Sequence, residues 1–239
     1  MKYLILFYTT DGHTKVVAEA IAEEIRTKDA AAECTIEDLK VFMKRHPQTA
    51  EGIADMKQYD KVILGASVRY GYFAQEVHQF TQRYTAYLNS VTTGFFSVNM
   101  VARKPNKRTP ETNPYTRKFL GSCPWRPTKI GVFAGALYYP RYSSFDRNMT
   151  RFIMKMTGGD TDPLLEKVYT DWDSVKAFTG EVVAMTAADI PAAQARGAEI
   201  AKAAAAVERR RRLFRLSFLG VAAGVAAVTM ALRRRKLTS

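Results

Sequence analysis

Apolar runs and helix-spaced apolar residues alternate along most of the chain. Residues 3–8 form an unbroken apolar run, which is typical of a parallel strand that is buried on both faces. The residues that follow repeat apolar positions at helical spacing, with Thr14 as a candidate cap and Arg26 and Lys28 near the end. The same reasoning predicts further strands at 33–38, 61–67, 94–99 and 129–137, and further helices at 52–58, 74–88, 144–156 and 172–185. These repeated units predict a doubly wound, three-layer α/β domain, because right-handed crossovers place helices on both faces of a parallel sheet.

Two segments depart from this alternation. Residues 101–127 are polar and basic, and we expect a functional insertion there with a helix at 112–120. After about residue 187 the chain becomes an alanine-rich helix that ends in four arginines, which predicts a helical linker over 187–212. Residues 213–239 then contain 17 uncharged residues, Leu216–Leu232, with basic residues on both sides. Since a bilayer span takes about 20 residues and arginines can snorkel, we expect a short membrane anchor, with a buried or interfacial helix as the alternative.

The formal charge of +13 belongs mainly to this tail. Nine of the 36 basic residues lie at or beyond position 209, where no acidic residue occurs, so residues 1–208 carry 27 basic and 23 acidic groups. This near balance disfavours a nucleic-acid-binding domain. Cys34 and Cys123 are too few for a disulfide scaffold, and neither they nor the histidines have metal-ligand spacing, so no metal site is predicted.

The loop between the first strand and the first helix carries the clearest chemical signal. It consists of Thr9, Thr10, Asp11, Gly12, His13 and Thr14. Unpaired N–H groups and the positive end of the helix dipole favour a phosphate here, and Gly12 allows close approach. The loop lacks the lysine of a Walker motif and the three glycines of a dinucleotide motif, which favours a mononucleotide. Its spacing resembles the FMN phosphate loop of flavodoxins, which implies a flavodoxin-like fold with five parallel strands in the order 2-1-3-4-5.

The flavodoxin resemblance also implies two loops around the isoalloxazine ring of FMN. The loop after the third strand consists of Ser67, Val68, Arg69, Tyr70 and Gly71. Tyr70, or Tyr72 just beyond, is expected to stack on the ring, with ordinary surface packing as the alternative. Arg69 is expected to stabilise negative charge on the reduced ring. The loop after the fourth strand consists of Phe96, Ser97, Val98 and Asn99.

Several longer strings narrow the resemblance. They are Gly65–Gly71, Ser97–Pro105, Lys107–Pro110, Ala134–Tyr142, Met154–Gly159 and Tyr169–Trp172. In this order they resemble the bacterial quinone-dependent protoporphyrinogen IX dehydrogenases of the HemG type, over nearly all of residues 1–186. The resemblance implies oxidation of protoporphyrinogen IX in haem biosynthesis, in three two-electron steps, with FMN N5 accepting hydride. Electrons then pass to a membrane quinone, ubiquinone or menaquinone. No side chain is singled out as a general base.

The basic insertion supplies candidates for substrate binding, because arginine binds carboxylates with two hydrogen bonds and the tetrapyrrole carries two propionates. The candidates are Arg103, Lys104, Lys107, Arg108 and Arg117. A solvated basic loop that meets anionic lipid is the alternative. Two other functions stay open: an NAD(P)H:quinone oxidoreductase of the same fold, and a membrane-tethered flavodoxin electron carrier. For the anchored chain we expect a mitochondrial membrane, with a bacterial inner membrane as the alternative.

Overall fold

Five parallel strands form the main sheet of the computed structural model, which describes residues 1–210. The eight strands in the described part of the chain are β1 (Lys2–Tyr8), β2 (Glu33–Asp38), β3 (Lys61–Arg69), β4 (Tyr72–Phe73), β5 (Thr93–Val98), β6 (Lys129–Phe133), β7 (Ala136–Tyr138) and β8 (Glu166–Val168). The order of the parallel strands is β2-β1-β3-β5-β6. This confirms the predicted flavodoxin-like order, because β5 and β6 are the fourth and fifth parallel strands along the chain. The two-residue strand β4 pairs antiparallel with β3, and β7 pairs antiparallel with β8.

Helices cover both faces of this sheet. They are α1 (His13–Lys28), α2 (Leu39–Arg45), α3 (Thr49–Met56), α4 (Gln75–Arg83), α5 (Thr85–Leu88), α6 (Pro114–Ser122), α7 (Ser144–Thr157) and α8 (Trp172–Ala184), and residues 190–210 are also helical. Alternate residues of β1 divide between the two cores. Tyr3 and Ile5 pack with α1 and α8, whereas Leu4 and Leu6 pack with the helices from α2 to α6. The three-layer prediction is therefore confirmed, and the strand pleat explains why an unbroken apolar run was needed.

Two predicted elements are divided in the structure. The strand expected over 129–137 ends at Phe133, because the carbonyls of Ala134 and Gly135 accept hydrogen bonds from the Thr170 hydroxyl and the Tyr169 N–H. The chain then starts β7 outside the main sheet. The helix expected over 74–88 breaks at Tyr84, between α4 and α5. The structure also contains α2, which was not predicted and which begins where the Asp38 carboxylate accepts a hydrogen bond from the Lys40 N–H.

The basic insertion is folded into the domain. Short 3₁₀ turns at Met100–Arg103 and Pro105–Lys107 precede α6. The helix begins at Pro114 rather than at residue 112, because the Asn113 side chain accepts hydrogen bonds from the N–H groups of Tyr115 and Thr116. Its residues Phe119 and Leu120 are buried in the core, together with Trp125 further along. The insertion is therefore held in place by apolar packing as well as by a capped helix.

The C-terminal helix over 190–210 packs on the same domain. Ala193 and Ile200 are buried, and the Arg196 guanidinium donates hydrogen bonds of 2.9 Å to the carbonyls of Pro127 and Thr128. The part of the predicted linker that the structure describes is thus docked rather than standing apart. The predicted anchor over 213–239 lies outside the described residues. Within residues 1–210, no helix combines the length and the apolarity needed to cross a membrane.

Candidate functional site

A cavity of about 620 Å³ opens at the carboxyl ends of the parallel strands. The carboxyl ends of β1, β3, β5 and β6, with the residues that follow them, supply one side of it, including Thr9, Ser67, Asn99 and Gly135. Helix α7 supplies the opposite side. Open α/β sheets bind ligands at this edge, so the position agrees with the one predicted for the cofactor.

The loop Thr9–Thr14, hereafter the phosphate loop, presents polar groups that have no protein partner. Gly12 adopts a left-handed backbone with φ 85°, and no side chain caps the start of α1. The hydroxyl oxygens of Thr9 and Thr14 are buried without a hydrogen-bond partner in residues 1–210. An unpaired buried hydroxyl costs about 1–3 kcal/mol, so two of them beside an uncapped helix N-terminus indicate a ligand with several acceptors. A phosphate group fits this donor set, which supports the predicted FMN phosphate site.

His13 lines the cavity and fixes the end of the phosphate loop through two hydrogen bonds. Its Nε2 lies 2.6 Å from the Thr170 hydroxyl oxygen, and that hydroxyl donates to the Ala134 carbonyl at 2.7 Å. Because the single hydroxyl hydrogen of Thr170 is used there, Nε2 of His13 must carry a hydrogen and donate it. Nδ1 then accepts from the Tyr138 hydroxyl at 3.2 Å, and burial lowers the pKa of His13, which favours this neutral form. Both ring nitrogens are occupied, so His13 ties the loop to the residues beyond β6.

Tyr70 and Gly71 form the tight turn between β3 and β4. Their φ angles are 50° and 87°, as in a type I′ hairpin turn. A left-handed conformation costs a residue with a side chain roughly 1–2 kcal/mol, and here it sets the Tyr70 ring on the cavity wall. Tyr72 is 66% exposed, lies under the Lys118 ammonium and is not part of that wall. Of the two tyrosines expected to stack on a flavin, the structure therefore brings only Tyr70 to the cavity.

Arg69 joins three elements around the cavity mouth. Its guanidinium lies 2.8 Å from Asp11 of the phosphate loop and 2.9 Å from Asp146 of α7. Asp146 also accepts hydrogen bonds from the hydroxyls of Tyr70 and Ser143, and the bonds from Tyr70, Arg69 and Ser143 lower its pKa to about 2. Arg69 is thus paired with two carboxylates. Its expected action on the reduced ring stays a prediction, and its charge is already partly balanced.

The end of β5 places two of its four predicted residues on the cavity wall. Val98 and Asn99 line the cavity, whereas Phe96 and Ser97 are fully buried beneath it. The Phe96 ring fills the space that a side chain at Gly65 would need, so it belongs to the core rather than to a ring-binding loop. The structure therefore places Phe96 in the core and away from the cavity, because it lies deeper in β5 than Val98 and Asn99.

A buried polar network connects the Asn99 end of β5 to the insertion. The Asn113 amide donates to the Asn99 side-chain oxygen at 2.9 Å, and the Ser97 and Thr116 hydroxyls lie 2.8 Å apart. These groups satisfy one another without a ligand. Ser97 therefore acts below the cavity, by fixing the position of Asn99 and of α6.

Among the five basic candidates of the insertion, Arg103 is the one that lines the cavity. It donates to the carbonyls of Met100 and Thr157, both at 2.9 Å, and within residues 1–210 it forms no salt bridge. Arg108 pairs with Asp171 at 2.7 Å, and Arg117 donates to the Glu111 carbonyl. Lys104 and Lys107 also lie away from the cavity wall. The structure thus leaves Arg103 as a cation that faces the cavity without a carboxylate partner.

Helix α7 forms a cavity wall to which the sequence patterns assigned no function. Phe145, Met149 and Ile153 line the cavity from this helix. Their spacing of four and eight residues places them on one helical face, which is a signal that was present in the sequence. This wall is apolar and faces the strand ends, so the cavity combines a polar end at the phosphate loop with an apolar end at α7.

Comparisons with known proteins agree with this geometry. A flavodoxin domain family model matches residues 4–163. The chain is 45% identical over 186 residues to the protoporphyrinogen IX dehydrogenase (quinone) of Escherichia coli strain K12, with 78% of this chain and 97% of that protein covered. It is 43% identical over 198 residues to the Leishmania major protein of the same name, covering 83% of this chain and 81% of that protein. An NAD(P)H dehydrogenase (quinone) of Azorhizobium caulinodans is 33% identical over 97 residues, which covers 33% of this chain and 44% of that protein.

Proposed function

This chain belongs to the flavodoxin domain family, and we propose that it is an FMN-dependent oxidoreductase that converts protoporphyrinogen IX to protoporphyrin IX and passes the electrons to a quinone. The observation that carries the proposal is the continuity of one cavity, from the unpaired hydroxyls of the phosphate loop to the apolar wall of α7. A cofactor phosphate fits the first end and a large apolar substrate fits the second.

Different residues of the cavity bind the cofactor and the substrate in this proposal. Thr9, Thr14 and the N-terminal amides of α1 hold the FMN phosphate, and Tyr70 and Asn99 stand where the ring loops of the family are expected. FMN supplies the two-electron redox chemistry when it is bound. Arg103 binds a propionate carboxylate of the tetrapyrrole, because it is a cation of the cavity wall with no carboxylate partner in residues 1–210. The apolar side chains of α7 exclude water from the substrate.

The other four candidate cations of the insertion do not contact the substrate in this proposal. Arg108 and Asp171 form an ion pair that holds the insertion against α8, and Arg117 stabilises the start of α6. Lys104 and Lys107 meet solvent or anionic lipid. No side chain of the cavity is assigned as a general base, so protons released from the substrate pass to water.

Anaerobic addition of protoporphyrinogen IX to the FMN-loaded protein tests the proposal. We expect the visible absorbance of the oxidised flavin to bleach, and to return when a quinone is added. Bleaching by NAD(P)H but not by protoporphyrinogen IX would instead favour the second candidate, an NAD(P)H:quinone oxidoreductase, which the partial similarity to the Azorhizobium caulinodans protein supports. Slow bleaching by both donors would indicate an electron carrier.

We further propose that residues 216–232 anchor the protein in a membrane, with a mitochondrial membrane favoured over a bacterial inner membrane. The support is the uncharged run of 17 residues between clusters of basic residues. Anchoring would confine the enzyme to the surface where its poorly soluble reactants are concentrated. Alkaline extraction of isolated membranes tests this proposal: the full chain is expected to stay in the membrane pellet, and a chain that ends at residue 210 is expected to be released.

A further inference from the structure

The outer surface of α7 carries a row of exposed apolar side chains, hereafter the apolar stripe. Its members are Phe145, Met149, Phe152, Ile153 and Met156. Phe145, Phe152 and Met156 are 69%, 60% and 73% exposed, and the spacing of the five positions places them on one side of the helix. Contiguous exposed apolar surface of this kind marks an interaction site, whereas single exposed residues do not.

Three cations occupy other positions of the same helix: Lys155 lies beside the apolar stripe, three residues from Phe152, whereas Arg147 and Arg151 lie further round, toward the opposite side. Arg147, Arg151 and Lys155 are spaced four residues apart, and no acidic residue occurs from position 147 to 159. None of the three forms a salt bridge in the part of the chain that the structure describes, although the Arg151 Nε donates to the Thr161 carbonyl. The acid at the start of the helix, Asp146, is engaged with Arg69 and Tyr70 on the cavity side. The helix therefore combines an exposed apolar face with cations on its polar side.

We propose that the apolar stripe and its cations dock α7 on the surface of an anionic lipid bilayer. A helix with a large apolar face and cations on its polar side lies in the plane of the interface, where its apolar residues enter the acyl boundary and its cations meet lipid phosphates. A second copy of the chain fits less well, because a two-fold contact between stripes would place the exposed Lys155 of each copy at the edge of an apolar contact, where positions 147–159 offer no acidic partner.

The position of the cavity makes this docking productive. Phe145, Met149 and Ile153 belong to the apolar stripe and also line the cavity. The cavity mouth thus adjoins the surface that meets lipid, so a hydrophobic quinone passes from the bilayer to the cavity without crossing water. This goes beyond the proposed function: it assigns a lipid-binding surface within residues 1–210, separate from the tail.

The test uses the full chain with a fluorescent label on a single cysteine. In a Cys34→Ser background, with Cys123 buried, one variant carries the label at Phe152→Cys and a matched control carries it at Val41→Cys, an exposed apolar residue of α2. Vesicles contain phosphatidylcholine with phosphatidylglycerol and nitroxide-labelled acyl chains. We expect quenching at position 152 but not at 41, and less quenching after Lys155→Gln, which removes the exposed cation beside the stripe. Because the tail is present in both variants, its own membrane binding cannot produce this difference.

Other outcomes overturn the proposal. Equal quenching at positions 152 and 41, or quenching at neither, would show that α7 does not enter the bilayer. A change at position 152 that depends on protein concentration without vesicles would assign the stripe to a second copy. None of these readouts requires flavin or tetrapyrrole, so they stand apart from the test of the proposed function.

A kinetic readout separates lipid docking from direct substrate contact. Phe152→Ser with Met156→Ser is expected to raise KM roughly tenfold for a long-chain quinone in vesicles and to leave KM unchanged for a water-soluble short-chain quinone. Val41→Ser should change neither value. An equal rise for both quinones would place the stripe in the quinone site itself and would contradict docking.

Discussion

The two ends of the cavity offer different kinds of interaction to a ligand. The phosphate loop uses fixed dipoles, namely the amides of an uncapped helix, a left-handed glycine and two hydroxyls without protein partners. The α7 end uses apolar side chains and one arginine without a carboxylate partner in residues 1–210. Fixed dipoles select a small anion of defined geometry, whereas an apolar wall accepts a large flat molecule with few directional demands. The comparison suggests that cofactor affinity and substrate affinity are set by different residues.

The largest expected effect separates cofactor affinity from protein stability. Replacing Thr9 and Thr14 together by valine removes two hydrogen bonds to a charged phosphate, each worth about 1.5–3 kcal/mol. We expect FMN affinity, measured by quenching of flavin fluorescence, to fall roughly a hundredfold or more. The apoprotein should not lose stability in urea, because the lost hydroxyls have no protein partner.

Thr116→Val is the matched control for that pair. The Thr116 hydroxyl is fully buried but is satisfied by Ser97 and Asn113. Its removal should destabilise the apoprotein by about 1–3 kcal/mol and leave the intrinsic FMN affinity of the folded protein nearly unchanged. If the Thr9/Thr14 variant were destabilised as much as the control, the two hydroxyls would be making protein contacts and the phosphate assignment would fail.

A smaller effect is expected at the opposite end of the cavity. Arg103→Met keeps an unbranched apolar stem and removes the charged guanidinium, so KM for protoporphyrinogen IX should rise roughly tenfold through the loss of a charged hydrogen bond. The FMN affinity should stay constant. Lys104→Met, at an exposed neighbour away from the cavity wall, should change neither constant. An unchanged KM in Arg103→Met would remove Arg103 from substrate binding.

The contacts of Asp146 with Tyr70 and Arg69, which join α7 to the end of β3, are expected to make the stability of the protein depend on pH. Asp146 has its pKa lowered from 3.8 to about 2 by hydrogen bonds from Tyr70, Arg69 and Ser143. The folded pKa lies below the unfolded value, so the stabilisation is fully present above about pH 4 and is lost as pH falls toward 2. Wild-type protein should therefore lose more stability than Asp146→Asn across this window in urea titrations. Parallel pH profiles would show that the contact contributes nothing to folding.

The smallest expected effect concerns His13. Burial lowers its pKa, and its two hydrogen bonds fix a neutral ring with hydrogen on Nε2. The ordinary pKa of a histidine is 6.5. NMR resonances of the His13 ring in the apoprotein should therefore show a neutral ring at pH 6.5 and a protonated ring only at lower pH. Since the unfolded chain binds this proton first, His13 favours folding fully above pH 6.5 and less as pH falls. Titration of His13 at 6.5 or above would be inconsistent with the buried network.

The difference between the two ends also explains why the cofactor end of the cavity could be predicted from the sequence and the substrate end could not. The phosphate loop depends on local order along the chain, a strand, then Thr9 to Thr14, then a helix, and such patterns are readable without tertiary contacts. Strand order followed from the resemblance to flavodoxins and is confirmed. The structure was needed to assign Arg103 to the cavity, because the sequence did not distinguish it from the four other candidate cations of the insertion.

Side-chain direction could not be read from the loops. Phe96 was expected near a flavin ring, but it lies deeper in β5 than the cavity-lining Val98 and Asn99, and its side chain packs over Gly65. Helix α7 was predicted as a helix with nearly its observed bounds, yet its function was missed. An amphipathic helix normally buries its apolar face, and only the structure shows that this one leaves Phe152 and Met156 exposed.

The most direct measurement of the central claim is one matrix of constants for three proteins. The FMN dissociation constant and the KM for protoporphyrinogen IX, the latter at saturating FMN, would be determined for wild type, Thr14→Val and Arg103→Met. We predict that Thr14→Val weakens FMN binding and leaves KM unchanged, and that Arg103→Met raises KM and leaves FMN binding unchanged. A result in which each variant alters both constants to the same extent would contradict the division of the cavity into a cofactor end and a substrate end.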